Sequence, residues 1–395
     1  MKKLAVLASV AVLAVACSKE STQIVESKER IKVYSASELS SQIDQVNQPF
    51  TFETSGKATD LSYTLKAVAE PPLIGGGDLT YATSIHKVGN LVYVTWHTVD
   101  TVFGGAVSVY DVSSPEAVSY KGRIDFLDTD FHDGAFYNDG AGNNYFYVVG
   151  QHDRNNGVYE DDLAWFKGGI FGRISLKGAD STLTSTYAEL PLAGNAGNSV
   201  AIGATNANMH VITGDGTSGV YRINGDAMTK IDSNLTYNDG EAIASDGSNF
   251  YAFFGDDNGT GGELVTYGIS QKVSDGSSTA VSFTSEKVER NSMSVSGGVA
   301  YLAMGADGVI TVNGGSVSQH ANTYGGEARD VTVNGDTVYV ANGETNMLVM
   351  DKSVTPWDLI GVRQGDGDYK EVLYKDGYLF IADAVNGFLI VKQEN

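Results

Sequence analysis

The segment RDVTVNGDTVYVANGETNMLVMDKS (residues 329–353) reads as three short apolar strands joined by a glycine turn and a loop, and the same plan recurs along the chain. The C-terminus repeats it as KEVLYKDGYLFIADAVNGFLIVKQE, and five further copies lie upstream. Aligned on the second strand, the copies bring Tyr93, Tyr147, His210, Tyr251, Tyr301, Tyr339 and Phe380 to one position, aromatic in six of the seven. Such a repeat constrains the fold more than composition does. Each copy is one supersecondary unit that can bury its apolar surface only on its neighbours.

The strands are apolar on both faces (LVYV, FLIV), Asn-Gly and Asp-Gly turns separate them, and no long stretch carries a helical period. Turns of that kind mark hairpins. Strands buried on both faces need a sheet on either side. Antiparallel units stacked radially satisfy this, so the expected fold is all-β, a seven-bladed β-propeller. A linear solenoid would have shorter repeats, and a pair of sandwiches would show no internal copies. A six- or eight-bladed ring stays open, because the long spacing from Tyr147 to His210 has room for a degenerate unit. The first and sixth copies continue into a fourth strand (VSYKGRIDF, DLIGVRQG), whereas the last stops at FLIVKQEN. The segment LSYTLKAVA (61–69) is therefore expected to join the last blade and close the ring.

The remaining organisation is read as a signal peptide at 1–16, a polar tether with a short N-terminal segment at 17–58, and the propeller at 59–395, its repeats spanning 79–395. Lys2 and Lys3 precede an apolar run from Leu4 to Val15, too short to span a bilayer. Cys17, the chain's single cysteine, follows Ala14-Val15-Ala16, which resembles the lipobox of bacterial lipoproteins. That resemblance implies lipidation of Cys17, with palmitate-type chains anchoring the protein to the outer membrane, facing either the periplasm or the cell surface. An ordinary secretory signal with an incidental cysteine is the alternative. A formal net charge of −22 repels nucleic acid, which excludes that class of partner. Within SASELSSQIDQV, Ser35 and Glu38 form a capping box, which predicts one short helix.

The phrases AVSVYDVSSPEAV, NMLVMDKS and GFLIVKQ, each after a VYVA-like strand, resemble the LVIVD repeat of bacterial and archaeal cell-surface propellers. The resemblance covers residues 79–395 and is best in the first and the last two copies. It implies an exported or surface propeller and no particular reaction.

Chemistry is expected on the face built by the loops between second and third strands. The second copy carries the insertion GQHDRNNGVYEDDLAWFKGG where the fifth has GADG, and long loops on a regular scaffold are where function concentrates. Candidate ligand- or partner-binding residues there are Trp96, His97, His132, Asp133, Gln151, His152, Asp153, Arg154, Trp165 and Phe166. The imidazoles and carboxylates among them would suit a transition metal or acid–base work, but their spacing matches no standard metal motif. A second set, Ser84, Asp133, Ser199, Glu241, Ser292, Asp330 and Glu371, is expected to ring the mouth of the central channel, where it would attract a cation such as Ca²⁺. The loops holding Asp215, Asp256, Asp257, Asn258 and Glu263 resemble Ca²⁺ loops without EF-hand spacing, and Asp-Gly turns need no metal. No Walker loop, G-x-S-x-G elbow or Rossmann fingerprint occurs. No cofactor is predicted. Two functions follow: a membrane-anchored binding or scaffolding module for an outer-membrane protein or glycan, and a metal-assisted hydrolase or lyase using the histidines.

Overall fold

A computed structural model describes residues 30–53, 61–75, 77–98, 103–114, 116–153, 168–178, 181–203, 208–214, 216–256, 260–284, 292–320, 324–344, 346–365 and 367–394. Cys17, Arg154, Trp165 and Phe166 lie outside them, as do Asp215, Asp257 and Asn258. Among the described residues no helix is long and apolar enough to cross a membrane.

Seven antiparallel sheets succeed one another in chain order. Their innermost strands are Asp78–Val88, Thr129–Asn138, Ala196–Ile202, Gly240–Ser245, Ser292–Ser296, Asp330–Asn334 and Tyr369–Lys375, defining blades 1 to 7. Each innermost strand contacts the innermost strands of both neighbours, and the seventh contacts the first. The ring is closed and seven-bladed.

The aligned second-strand residues explain the packing. Strand side chains alternate between faces, so Val92 and Val94 pack toward blade 7 while Tyr93 packs toward blade 2. Tyr147, Tyr251, Tyr301, Tyr339 and Phe380 likewise each face the blade that follows. The core is accordingly divided into seven clusters, one at each seam between blades.

Closure occurs as the sequence implies. Tyr63–Ala69 pairs antiparallel with the final strand Gly387–Gln393, setting Leu65 opposite Val391 and Ala67 opposite Ile390. Ahead of it, the short N-terminal segment straddles the seam between blades 7 and 1. Ile31–Ser35 adds to the outer strand of blade 1, and Ile43–Pro49 adds outside the closing strand. Between them lies the expected helix, one turn long (Ala36–Leu39), with the Ser35 amide donating to the Glu38 carboxylate at 2.8 Å. Its Leu39 is fully buried in the seam. The segments 31–49 and 63–69 thus hold the final strand in place across this seam.

Candidate functional site

A β-bulge interrupts the innermost strand at the same height in blades 1, 2, 3, 4 and 7. It leaves Thr83, His132, Asn198, Glu241 and Lys370 without a pairing partner on the second strand, and a bulge re-aims the side chain it carries. Three of these side chains do the same thing. Thr83 Oγ1 donates to the Phe131 carbonyl at 2.7 Å, His132 Nδ1 to the Gly197 carbonyl at 3.1 Å, and Asn198 Nδ2 to the Gly240 carbonyl at 2.7 Å. Each acceptor is the residue before the bulge position in the following blade. Because a carbonyl only accepts, this bond puts the His132 proton on Nδ1.

Below the bulges lies the central cavity, about 180 Å³ in volume. Ser84, Asp133, Ser199, Ser292, Asp330 and Glu371 line it. Glu241 does not. It occupies the bulge, and Ala242 takes the ring position in blade 4. The inserted residue shifts the register by one, so the ring carries three carboxylates instead of four.

Two of those carboxylates clasp neighbouring blades. Asp133 Oδ2 accepts from the Ser199 hydroxyl at 2.7 Å and the Val200 amide at 3.0 Å. Asp330 accepts from Ser292 of blade 5 and, at 2.8 Å, from the Val372 amide of blade 7. Burial raises the Asp330 pKa, with the bonds from Ser292 and Val372 working against that shift. His86, unremarked in the sequence, is half-buried close to Asp133, and burial together with nearby Lys375 lowers its pKa to about 4.

The three candidate histidines separate into two environments. His97 and His132 face each other edge-on with centroids 5.8 Å apart, and Tyr81 meets His97 at 4.0 Å. His152 is fully buried in a different polar cluster, with Nδ1 3.0 Å from Arg30 Nη2 and 3.1 Å from Thr129 Oγ1. There Arg30 forms an ion pair with Asp128, and Glu189 lies 3.8 Å from its guanidinium. Trp96 is also buried, in the seam with blade 7, where its indole N–H donates to Ser108 at 3.1 Å. It is core and does not reach a ligand. Gln151 and Asp153 are half-buried at the end of their strand. No group of three metal-capable side chains converges among the described residues.

Asp130 was also missed by the sequence. It accepts from the Gly104 amide at 3.0 Å and the Thr98 hydroxyl at 3.1 Å, pinning the loop of blade 1. Burial raises its pKa to about 6, against the lowering effect of those bonds. The folded state therefore holds this proton more tightly than the unfolded chain. Its stabilising contribution is greatest below about pH 4 and falls by roughly 3 kcal/mol as pH rises through about 6. Urea unfolding across that range should show Asp130→Asn gaining on the wild type as pH rises; parallel profiles would mean the ionised carboxyl costs nothing.

No family model matches the chain, and no curated protein matches it. Solved structures do. A chain of the "Crystal Structure of Mitotic Checkpoint Complex" is similar at a TM-score of 0.56 and 12% identity, over 88% of this chain and 100% of that one. The RRP9 WD40 repeats give 0.55 and 10%, over 83% and 100%. Hydrazine synthase of Kuenenia stuttgartiensis gives 0.56 and 12%, over 77% and 93%. The likeness is one of fold. The chain is a seven-bladed β-propeller, an architecture that fits a binding or scaffolding module.

Proposed function

We propose that this propeller is a lipid-anchored module of the bacterial envelope that docks a protein or glycan partner on the face above blades 7, 1 and 2. The observation that carries the reading is the apolar relief of that face. Leu73 and Leu79 pair across a short hairpin leading into the innermost strand of blade 1 and are 57% and 65% exposed, and Val385, in the loop between the second and third strands of blade 7, is 63% exposed. Exposed large side chains grouped on one face mark interaction surfaces. The connection in blade 2 also runs through residues 153–168, whereas that of blade 6 is 343–345. By contrast, His132 and Asp133, which suggested metal or acid–base chemistry, and Asp330, from the ring expected to attract a cation, hold blades together. The lipobox-like segment before Cys17 and the LVIVD-like phrases support an exported, anchored setting.

Affinity purification of the full chain from gently solubilised native membranes should recover one stoichiometric partner, and Leu73→Asp with Leu79→Asp should lose it without lowering the melting temperature. Cys17→Ser should move the protein from the membrane to the soluble fraction. Recovery of the wild type alone, or equal recovery of the partner by the double variant, would overturn the docking reading.

A further inference from the structure

The N-terminal segment enters the fold at Arg30, and the partners of Arg30 place that entry on one face of the disc. In each blade the first strand leaves, and the second strand returns to, the face that carries Leu79 and Val385. Arg30 is buried where those two strands of blade 2 begin and end. Its guanidinium donates to Asp128, the residue before the first strand, at 2.9 Å, and to Nδ1 of His152, the last residue of the second strand, at 3.0 Å. The Arg30 carbonyl accepts from the Leu127 amide at 3.0 Å, and the Asp153 amide donates to the Asp128 carbonyl at 2.9 Å. Arginine's planar fork holds a defined orientation against such partners.

Leu127 is itself 46% exposed, so the entry point adds another large apolar side chain to the relief formed by Leu73, Leu79 and Val385. Residues 18–30 connect Cys17 to this point. A stretch of that length reaches at most about 45 Å when fully extended, and a coil of that length averages about 20 Å. The second strand of blade 2 has 9 residues, so it spans about 30 Å between the two faces of the disc. An anchor at Cys17 therefore reaches the near face readily, whereas turning that face away from the bilayer would use most of the full extension.

We propose that the Arg30 clamp sets the exit of the anchor on the docking face, so that this face is turned to the bilayer and its partner is a protein embedded in the same membrane. The inference rests on the anchored docking reading above and adds where the partner sits. The lipid surface itself is the weaker occupant. Surfaces that lie on bilayers carry Lys and Arg beside their apolar side chains, whereas Glu70 and Asp78 flank Leu73 and Leu79 here. The net charge of −22 also repels anionic headgroups. An apolar patch edged with carboxylates fits a partner loop that sets apolar side chains among basic ones.

The test uses the full acylated chain. Cys17 is its single cysteine, and with that sulfur lipidated an introduced cysteine is the one free thiol. A donor dye is placed at Val385→Cys, on the docking face, or at Asn90→Cys, in the turn between the first and second strands of blade 1 on the opposite face. Each is measured in proteoliposomes that carry an acceptor on the lipid headgroups. Energy transfer from position 385 should be at least about twice that from position 90, because a strand height of about 30 Å separates the faces. In native membranes, a photo-crosslinking side chain at position 79 should form an adduct with one integral membrane protein, and the same group at position 90 should not. Equal or reversed transfer, or an adduct with a soluble protein or with lipid alone, overturns the inference. Unequal transfer with no adduct from position 79 overturns the docking reading instead, and the embedded partner with it.

Discussion

A chain shortened to begin at residue 70 is expected to lose its single cooperative unfolding transition and to self-associate. Blade 7 would keep three strands, and Gly387–Gln393 would become an edge whose residues Phe388 to Val391 are now all buried. An exposed apolar edge recruits other chains. The closing strand also buries Tyr63, Leu65, Ala67 and Ala69, and large apolar side chains contribute about 1.5–3 kcal/mol each. With the ladder bonds added, the loss is of the same order as the whole stability of an ordinary domain. Ala67→Asp makes the same point with one atom group. Ala67 is fully buried between blades 7 and 1, and an unpaired carboxylate there should cost several kcal/mol. Calorimetry and light scattering would decide the matter: a monomeric truncated chain melting in one transition near the wild-type temperature would refute ring closure as a source of stability.

The second large effect is expected at Asp128. Its carboxylate pairs with Arg30 and accepts from Thr129 at 3.0 Å, in a cluster where Glu189 and His152 are fully buried. Asp128→Ala would leave the Arg30 guanidinium buried beside His152 without its main counter-ion. Removing one partner of a buried ion pair costs about 3–5 kcal/mol, whereas replacing both with apolar residues is often neutral. Urea denaturation should therefore show a large loss for Asp128→Ala and recovery of most of it in Arg30→Met with Asp128→Leu. A single variant as stable as the wild type would show that the pair contributes nothing. The cluster ties the start of the N-terminal segment to blade 2, so its loss should also loosen the strand Ile31–Ser35.

The architecture was legible because it is written locally. Two-faced apolar strands, Asn-Gly and Asp-Gly turns and a missing last strand all declare themselves within a few residues, and together they imply seven blades and the partner for Gly387–Gln393. The candidate site was legible only as residue types. His132 and Asp133 were visible, but their acceptors and donors are the Gly197 carbonyl and the Val200 amide of the next blade, and backbone groups leave no mark on a sequence. Glu241 was misplaced because a bulge adds one residue without any signal of its own. His152 was grouped with His97 by repeat register, yet it sits beside Arg30, 122 residues away.

His210 shows the division most clearly. The aligned repeats already held the anomaly, one imidazole among six aromatic rings. The cavity beside it exists only where blades 3 and 4 meet. The sequence by itself determined the strand order within each repeat and the need for closure, because these follow from local periodicity and from apolar surface that must be covered; the structure settled the blade count at seven. Which polar side chains clasp neighbouring blades, and which are left lining a cavity, was decided by the tertiary structure. Those bonds cross the seams, and a seam brings together residues that sequence separation keeps apart.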